Sequence, residues 1–310
     1  MELMFYMKNN VALVLVTFNR SNLLEEMLNS VIQQTVLPEI IYVIDNNSND
    51  NTSSVVLNFS EKYKHIISVV YHNTGANLGG AGGFEFGSRL AFEAGYEWIW
   101  LADDDVELAP DCLNNLLLFK EEADILQPMR VNMDGSCAEI SGTDYEINSL
   151  TRLNPKQNTV QDIKSRDWKY VDIKTIPFEG PLIHRKVFEK IGFPDPRFFI
   201  FYDDLDFALR AQNAGYKIIC VRQAIMKRKI LFVQSRALLG WKGYFMYRNF
   251  FYVQLIHGRK TIAYLRIFMI FILVSIHSLI TGKAKSIPVL IEAFKHALNA
   301  DFSANEKYKP

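Results

Sequence analysis

Three consecutive carboxylates, Asp103, Asp104 and Asp105, close the run YEWIWLADDDV from Tyr96 to Val106, whose aromatic bulk suits a buried strand. Three acids at one strand end repel one another, and a cation is the natural way to neutralise them. Their oxygen ligands match Mg2+ or Mn2+, metals commonly shared with the phosphates of a nucleotide. An acidic turn that caps the next helix and faces water is the competing reading. A second cluster, Asp203, Asp204 and Asp206, also follows aromatic residues, in Phe201-Tyr202-Asp203-Asp204-Leu205-Asp206. Set across a cleft from the first, it offers a general base for an acceptor hydroxyl while the first cluster holds the metal. Alternatively Asp203 or Asp204 caps a helix from Leu205 to Asn213, which contributes about 1 kcal/mol.

The elements that must position these clusters read as alternating strands and helices. Val11 to Thr17 is a continuous apolar run of the kind covered on both faces of a parallel sheet. Asn19, Arg20 and Ser21 break it, and Ser21 is placed to cap a helix carrying Leu24, Met27, Leu28, Val31 and Ile32 at helical spacing. A second strand, Ile40 to Ile44, ends in Asp45-Asn46-Asn47-Ser48-Asn49-Asp50, and a third lies around Ile66 to Tyr71 after another helix. This cadence predicts right-handed parallel crossovers in a three-layer α/β sheet, whose ligands gather at the carboxyl ends of the strands. Those ends carry Thr17-Phe18-Asn19, Asp45-Asn46-Asn47, Asn77-Leu78-Gly79-Gly80 and Asp103-Asp104-Asp105. Together they outline a crevice for a base and ribose on one side and a metal diphosphate on the other. The glycines Gly79, Gly80, Gly82 and Gly83, with Gly87 beyond, allow close backbone approach to a ligand ahead of a helix from Phe84 to Ala94. A flexible turn is the alternative. The run follows the third strand and does not read GxGxxG, which argues against a NAD site. Pro110 to Ala123 reads as a helix, Ile125 to Val131 as a strand and Arg185 to Ile191 as a helix. The polar stretch up to Tyr170 reads as a lid, an acceptor loop or an ordinary insertion.

The 310 residues, 49% of them hydrophobic, suffice for a large domain with an appendage or for two domains. Cys112, Cys137 and Cys220 have no paired spacing, which fits a reducing compartment and does not suggest zinc. The start, MELMFYMKNN, is a poor secretory signal. Zero net charge hides a segregation: residues 1–206 hold 17 Lys/Arg and 31 Asp/Glu, a balance of −14, while residues 207–291 hold 14 Lys/Arg and no acid. Such a segment suits anions such as lipid headgroups or phosphates; a merely solvated basic face is the alternative. Nucleic acid is disfavoured, because the cations are mixed with apolar runs and no nucleic-acid module is visible. Thr261 to Thr281 is the most hydrophobic stretch, yet only 16 residues separate Arg266 from Lys283, against the roughly 20 that span a bilayer. A buried helix, a helix in the membrane interface and a true span compete. The basic surroundings favour the interface, and a homo-oligomer contact is a further alternative. Pro288 to Asn299 reads as an amphipathic helix beside it, and His257 as structural.

The motifs VTFNR, DNNSND, NLGGAGGF, LADDDV and FYDDLDFALRAQNAGY, followed by WKGYFMYRNFFY at Trp241 to Tyr252, resemble those of a family 2 glycosyltransferase of the GT-A fold. NLGGAGGF beside YDDLD and YRN is most similar to bacterial galactofuranosyltransferases, with rhamnosyltransferases as near neighbours. The resemblance implies a three-layer α/β/α catalytic domain with a mostly parallel central sheet at residues 1–235 and a basic, hydrophobic helical extension at residues 236–310. It further implies that Thr17, Asn19, Asp45 and Asn47 contact uridine, and that Gly79 and Gly80 approach the diphosphate. Asn77 and Asp104 join the nucleotide-sugar set, and Asp103 and Asp105 hold Mn2+ or Mg2+. Asp204 becomes the base for an inverting in-line displacement, with Asp203 and Asp206 positioning the site. Arg228 stands about where the family places a metal-binding histidine. A guanidinium cannot ligate a metal, but it can pair with the diphosphate. The expected activity is transfer of a sugar, galactofuranose from a UDP donor, to a lipid-linked glycan of bacterial surface polysaccharide. The expected place is the cytoplasm, peripheral at the inner membrane. A rhamnosyltransferase using dTDP-rhamnose, and a non-catalytic binding subunit of an assembly complex, are the alternatives.

Overall fold

The computed structural model describes residues 9–230 and 241–309. β1 (Val11–Thr17) is buried along its whole length, and β2 (Ile40–Asp45) flanks it in parallel. β3 (Ser68–Asn73) extends the sheet beyond β2, and β4 (Trp98–Asp103) lies on the other side of β1, both parallel. Their register aligns the polar ends: Thr17 pairs with Asp45, Asp45 with Asn73, and Val16 with Asp103. The sheet continues through β5 (Val106–Leu108), β6 (Ile125–Asn132), β7 (Tyr170–Asp172), β8 (Leu182–His184) and β9 (Ile218–Arg228). Among the described residues the order is β3-β2-β1-β4-β8-β6-β9-β5, with β7 on β9. β1, β2, β3, β4, β6 and β9 share one direction, while β5, β7 and β8 oppose it.

Period-two alternation along β1 feeds two cores. Val11, Leu13 and Leu15 pack with Leu24, Met27 and Leu28 of α1 (Ser21–Ile32) and with Val56 and Phe59 of α2 (Thr52–Tyr63). Ala12, Val14 and Val16 face Phe84 and Ala91 of α3 (Gly79–Glu93). The same layer receives Phe188 of α5 (Arg185–Ile191) and Phe207 of α6 (Asp203–Asn213). Each leucine buried here contributes roughly 2 kcal/mol.

Four local expectations are corrected. Ser21 does not cap α1: its backbone N–H donates to Asp50 Oδ2 at 2.8 Å, so the acceptor comes from the β2–α2 turn. The glycine run does not precede a helix; it is the first turns of α3, because the missing side chains let the helix sit directly on β1 and β2. α4 (Cys112–Leu117) is shorter than expected, since hydrogen bonding tightens to a three-residue step at Phe119, Lys120 and Glu122. The third strand starts at Ser68 rather than near Ile66.

The C-terminal part is helical: α7 (Lys242–His257), α8 (Lys260–Ile280), α9 (Ile287–Leu298) and α10 (Asn305–Tyr308). Phe251, Val253, Ile267 and Leu290 of these helices share a core with Phe198 and Ala81 of the sheet domain. The proposed division between residues 235 and 236 lies outside the described residues. Of the three readings of α8, the buried helix fits poorly: only 22% of its 18-residue apolar window is covered. Nor does Arg266 limit its apolar face, because that side chain is turned inward and fully buried.

Candidate active site

At the end of β4, Asp104 is fixed from two sides. Thr17 Oγ1 donates to its Oδ2 at 2.7 Å, and Arg20 Nη1 reaches its Oδ1 at 3.1 Å while also lying 3.1 Å from Asp105 Oδ2. Asp103 accepts no side-chain hydrogen bond among the described residues. Burial, followed by the charges of Asp105, Glu179 and Asp104, pushes Asp103 well above the ordinary carboxylate range. Burial lifts Asp104 to about 6 against the opposing charge of Arg20, and Asp105 is raised in the same way. Glu179 is held between Arg130 Nη1 at 2.9 Å and Arg228 Nε at 2.8 Å. Arg130 is buried and also grips Glu139, with Nε 3.0 Å from Oε2 and Nη2 3.1 Å from Oε1. A charge chain Glu139–Arg130–Glu179–Arg228 therefore runs to the cleft beside the first acidic cluster.

The second cluster is presented by a strained backbone. Phe199, Phe201 and Tyr202 have positive φ of 64°, 66° and 68°, sparsely populated backbone that costs roughly 1–3 kcal/mol for each such residue. Asn249 of α7 holds this loop: its Nδ2 lies 3.0, 2.8 and 2.9 Å from the carbonyls of Phe198, Ile200 and Phe201. From the opposite side Ala81 N donates to the Phe199 carbonyl at 3.1 Å. α6 then starts with Asp203, Asp204 and Asp206 in its first turn, where the helix dipole favours acids. Neither Asp203 nor Asp204 is the N-cap, a place taken by Tyr202. Asp204 Oδ1 accepts from Leu205 N at 2.7 Å, yet burial outweighs this bond and the charge of Arg130 and lifts the carboxyl to about 6. Asp203 is driven well above its ordinary range by burial and by Asp204. Asp206 lies 2.8 Å from both His257 Nε2 and Arg210 Nε. Although burial opposes it, these partners hold Asp206 below the ordinary range. It ties α6 to α7.

The wall between the clusters is glycine-built. Gly79 has φ +71°, and a Cβ there would fall on the Phe199 carbonyl oxygen. A Cβ on Gly83 would meet Val16 Cγ1 at 2.6 Å, whereas Gly80 has open space beside it. Asn46 Nδ2 donates to the Gly79 carbonyl at 3.0 Å, and its buried Oδ1 has no hydrogen-bond partner among the described residues. Asn77 Oδ1 accepts from Gly79 N at 2.9 Å.

A cleft of about 1540 Å³ brings together Thr17, Asn77, Gly79, Gly80, Asp103, Asp104, Asp105, Asp203, Asp204 and Arg228. Asn19, Asp45, Asn47 and Asp206 are not in its wall. Asp45 is buried beneath the turn, accepting from Ser48 N at 2.8 Å and Tyr71 Oη at 2.6 Å. Asn19 and Asn47 are exposed, with φ of 52° and 64°, and Asn19 Oδ1 accepts from Asn49 N at 2.7 Å. Residues that sequence reasoning did not single out are Arg20, Asn46, Arg130, Glu179, Asn249 and the cleft-lining Lys156 and Lys242. Arg20 and Asn249 did carry a signal, since they close the VTFNR and YRN motifs. Asp103 and Asp105 supply two carboxylates, and no group of three or more His, Cys, Asp or Glu is arranged around one point among the described residues. That donor set fits a hard divalent cation that keeps waters and takes further oxygens from a phosphate.

Residues 12–192 match the family model described as glycosyl transferase family 2. Over 208 residues the chain is 29% identical to galactofuranosyltransferase GlfT1 of Mycolicibacterium smegmatis, an alignment covering 66% of this chain and 66% of that protein. Over 221 residues it is 24% identical to the O-antigen chain rhamnosyltransferase RfbN of Salmonella typhimurium, covering 70% and 65%. Among solved structures, the mannosyltransferase PcManGT from Pyrobaculum calidifontis, in complex with GDP-Man and Mn2+, is similar with a TM-score of 0.57. Its sequence identity is 16%, over 94% of this chain and 75% of that one, so the likeness is one of fold.

Proposed function

Since this chain belongs to glycosyl transferase family 2, has the GT-A fold and is a glycosyltransferase, we propose that it moves galactofuranose from UDP-galactofuranose to a lipid-linked glycan with inversion. The observation that carries this reading is the single cleft walled by both acidic clusters, with Asp204 poised at about 6. Asp204 takes the proton of the acceptor hydroxyl as the freed oxygen attacks the anomeric carbon, and the bond from that carbon to the diphosphate breaks on the opposite face. Arg20, Arg228 and the N-terminus of α3 at Gly80 neutralise the departing diphosphate. Asp103 and Asp105 would hold Mn2+ or Mg2+, which would supply further charge neutralisation there. Asn46, Asn77 and Gly79 receive the nucleoside side. Thr17 and Arg20 orient Asp104, while Asn19, Asp45 and Asn47 shape the turn beneath the nucleotide. Asp206 positions α6 through His257 and Arg210.

The acceptor belongs to bacterial surface polysaccharide synthesis, at the cytoplasmic face of the inner membrane. The test supplies purified protein, Mn2+ and a lipid-linked acceptor mimic with UDP-galactofuranose or dTDP-rhamnose in parallel. Acceptor-dependent UDP release is expected. Release of dTDP alone would instead establish the second reading, a rhamnosyltransferase, which the similarity to RfbN favours. Absence of release with either donor would overturn both.

A further inference from the structure

α8 has one row of large apolar side chains that no described residue covers. Tyr264, Leu265, Phe268, Ile272, Ile276 and Leu279 are between 41% and 61% exposed and recur at the three- and four-residue spacing of one helix face. The other side of the helix packs into the protein through Ala263 and Ile267. Arg266 sits on that inner side. Its Nε donates to Gln254 Oε1 at 3.0 Å, and its Nη groups donate to the carbonyls of Ser149, Arg152 and Leu153. The outer row is therefore free of charge from end to end. Arg259 and Lys260 lie exposed before it and Lys283 and Lys285 after it, none of them ion-paired among the described residues.

We infer that α8 lies flat on an anionic bilayer with this row in the headgroup–acyl boundary, and that Arg266 fastens a wall of the cleft to the lipid surface. Cations at both ends of an apolar row match anionic lipid. A second copy of the chain docked antiparallel, by a two-fold axis perpendicular to this helix, would set Arg259 and Lys260 of one against Lys283 and Lys285 of the other, which repel. A transmembrane orientation would carry Arg266 into hydrocarbon away from its carbonyl partners. Those carbonyls belong to residues 149–153, a segment continuous with both surfaces. Leu150 completes an apolar groove with Leu265, Phe268, Met269, Ile272 and Leu273, and Leu153 lines the cleft. An acceptor carried by a lipid thus meets the cleft at the bilayer surface. The inference deepens the membrane placement proposed above, but it rests on α8 and not on the reaction.

The test is flotation of the full chain with phosphatidylcholine vesicles, with and without phosphatidylglycerol. Binding is expected with the anionic vesicles, weakened by salt. The variant Phe268→Glu/Ile272→Glu should lose it by roughly a hundredfold, two side chains that the bilayer buries having been replaced, with an unchanged circular dichroism spectrum. Lys283→Gln/Lys285→Gln, which leaves the apolar row intact, should weaken it roughly tenfold or more. Undiminished flotation of the Glu variant, failure of the wild type to float, or resistance of the wild type to alkaline extraction from cell membranes would overturn the inference. So would a dimer that the Glu variant dissociates. Flotation without sugar transfer would uphold it and sink the reaction, and transfer without flotation the reverse.

Discussion

Replacing Asn249 with Ala should disable the cleft without touching a residue that lines it. The Asn249 side chain is fully buried, and its two Nδ2 hydrogens serve the carbonyls of Phe198, Ile200 and Phe201 at 2.8 to 3.0 Å. Two lost hydrogen bonds cost about 1 kcal/mol each, and the Ile200 carbonyl left without its donor adds about 1–3 kcal/mol. The expected loss of stability is then roughly 3 kcal/mol, within the 5–15 kcal/mol typical of a folded domain, and urea denaturation should show it. The positive-φ strain at Phe199, Phe201 and Tyr202 also loses its restraint, so the loop can relax and move the start of α6. A displacement of Asp204 by about 1 Å should lower kcat roughly a hundredfold. Asn249→Asp keeps the shape but turns an acceptor toward three carbonyls, so it should be worse than Ala in both assays. A kcat within twofold of wild type in Asn249→Ala, or an Asp variant better than the Ala one, would refute the claim that amide donation holds this loop.

Asp204→Asn should abolish transfer in the UDP-release assay and leave UDP affinity by calorimetry within about threefold. With Asp204 raised to about 6, kcat should fall about tenfold per pH unit below that value, as read from a pH–rate profile. Between 3.8 and about 6 the folded protein binds the Asp204 proton more tightly than the unfolded chain, so this group adds stability as pH falls. The loss of rate there should therefore come without unfolding at that site, and circular dichroism at pH 5 checks it. EDTA should stop transfer and Mn2+ restore it, whereas retained activity in EDTA would exclude a metal role for Asp103 and Asp105. Gly87→Ala would force a Cβ against Val14 Cγ1 and Ile44 Cγ1, and should cost about 1–3 kcal/mol by urea denaturation.

What could be read from the sequence was whatever short-range pattern encodes. β1 and β2 announce themselves as continuous apolar runs, and once parallel pairing is accepted, register alone lines up Thr17, Asp45 and Asp103. The side-chain directions beyond those strand ends were not legible. Asp45 and Asn46 are neighbours, yet the first is locked under the turn by Tyr71 while the second enters the cleft wall. Asp204 and Asp206 stand two apart on a helix and so diverge, one to the cleft and one to His257, a partner 51 residues away. Glu179 carries no short-range signal, because its role depends on Arg130 and Arg228 from two strands. The glycine run reads as a close-approach stretch ahead of a helix, or as a flexible turn, since composition alone cannot distinguish these from a helix packed too closely to tolerate side chains. Arg266 looked like an interruption of an apolar segment because periodicity gives a face, and only the carbonyls of residues 149–153 show which face is inside.

The grip of Asn249 on the loop before α6 bears on how such a protein can diverge. A tail that merely bound lipid could be exchanged between relatives as an independent cassette. Here the same tail dictates the backbone conformation from which the second acidic cluster begins. The two stretches therefore work as a unit, and a chimaera that joins one relative's sheet domain to another's helices would transplant a loop conformation along with the helices. Recombination within such a lineage should spare the interval from Phe198 to Asn249 and fall on either side of it.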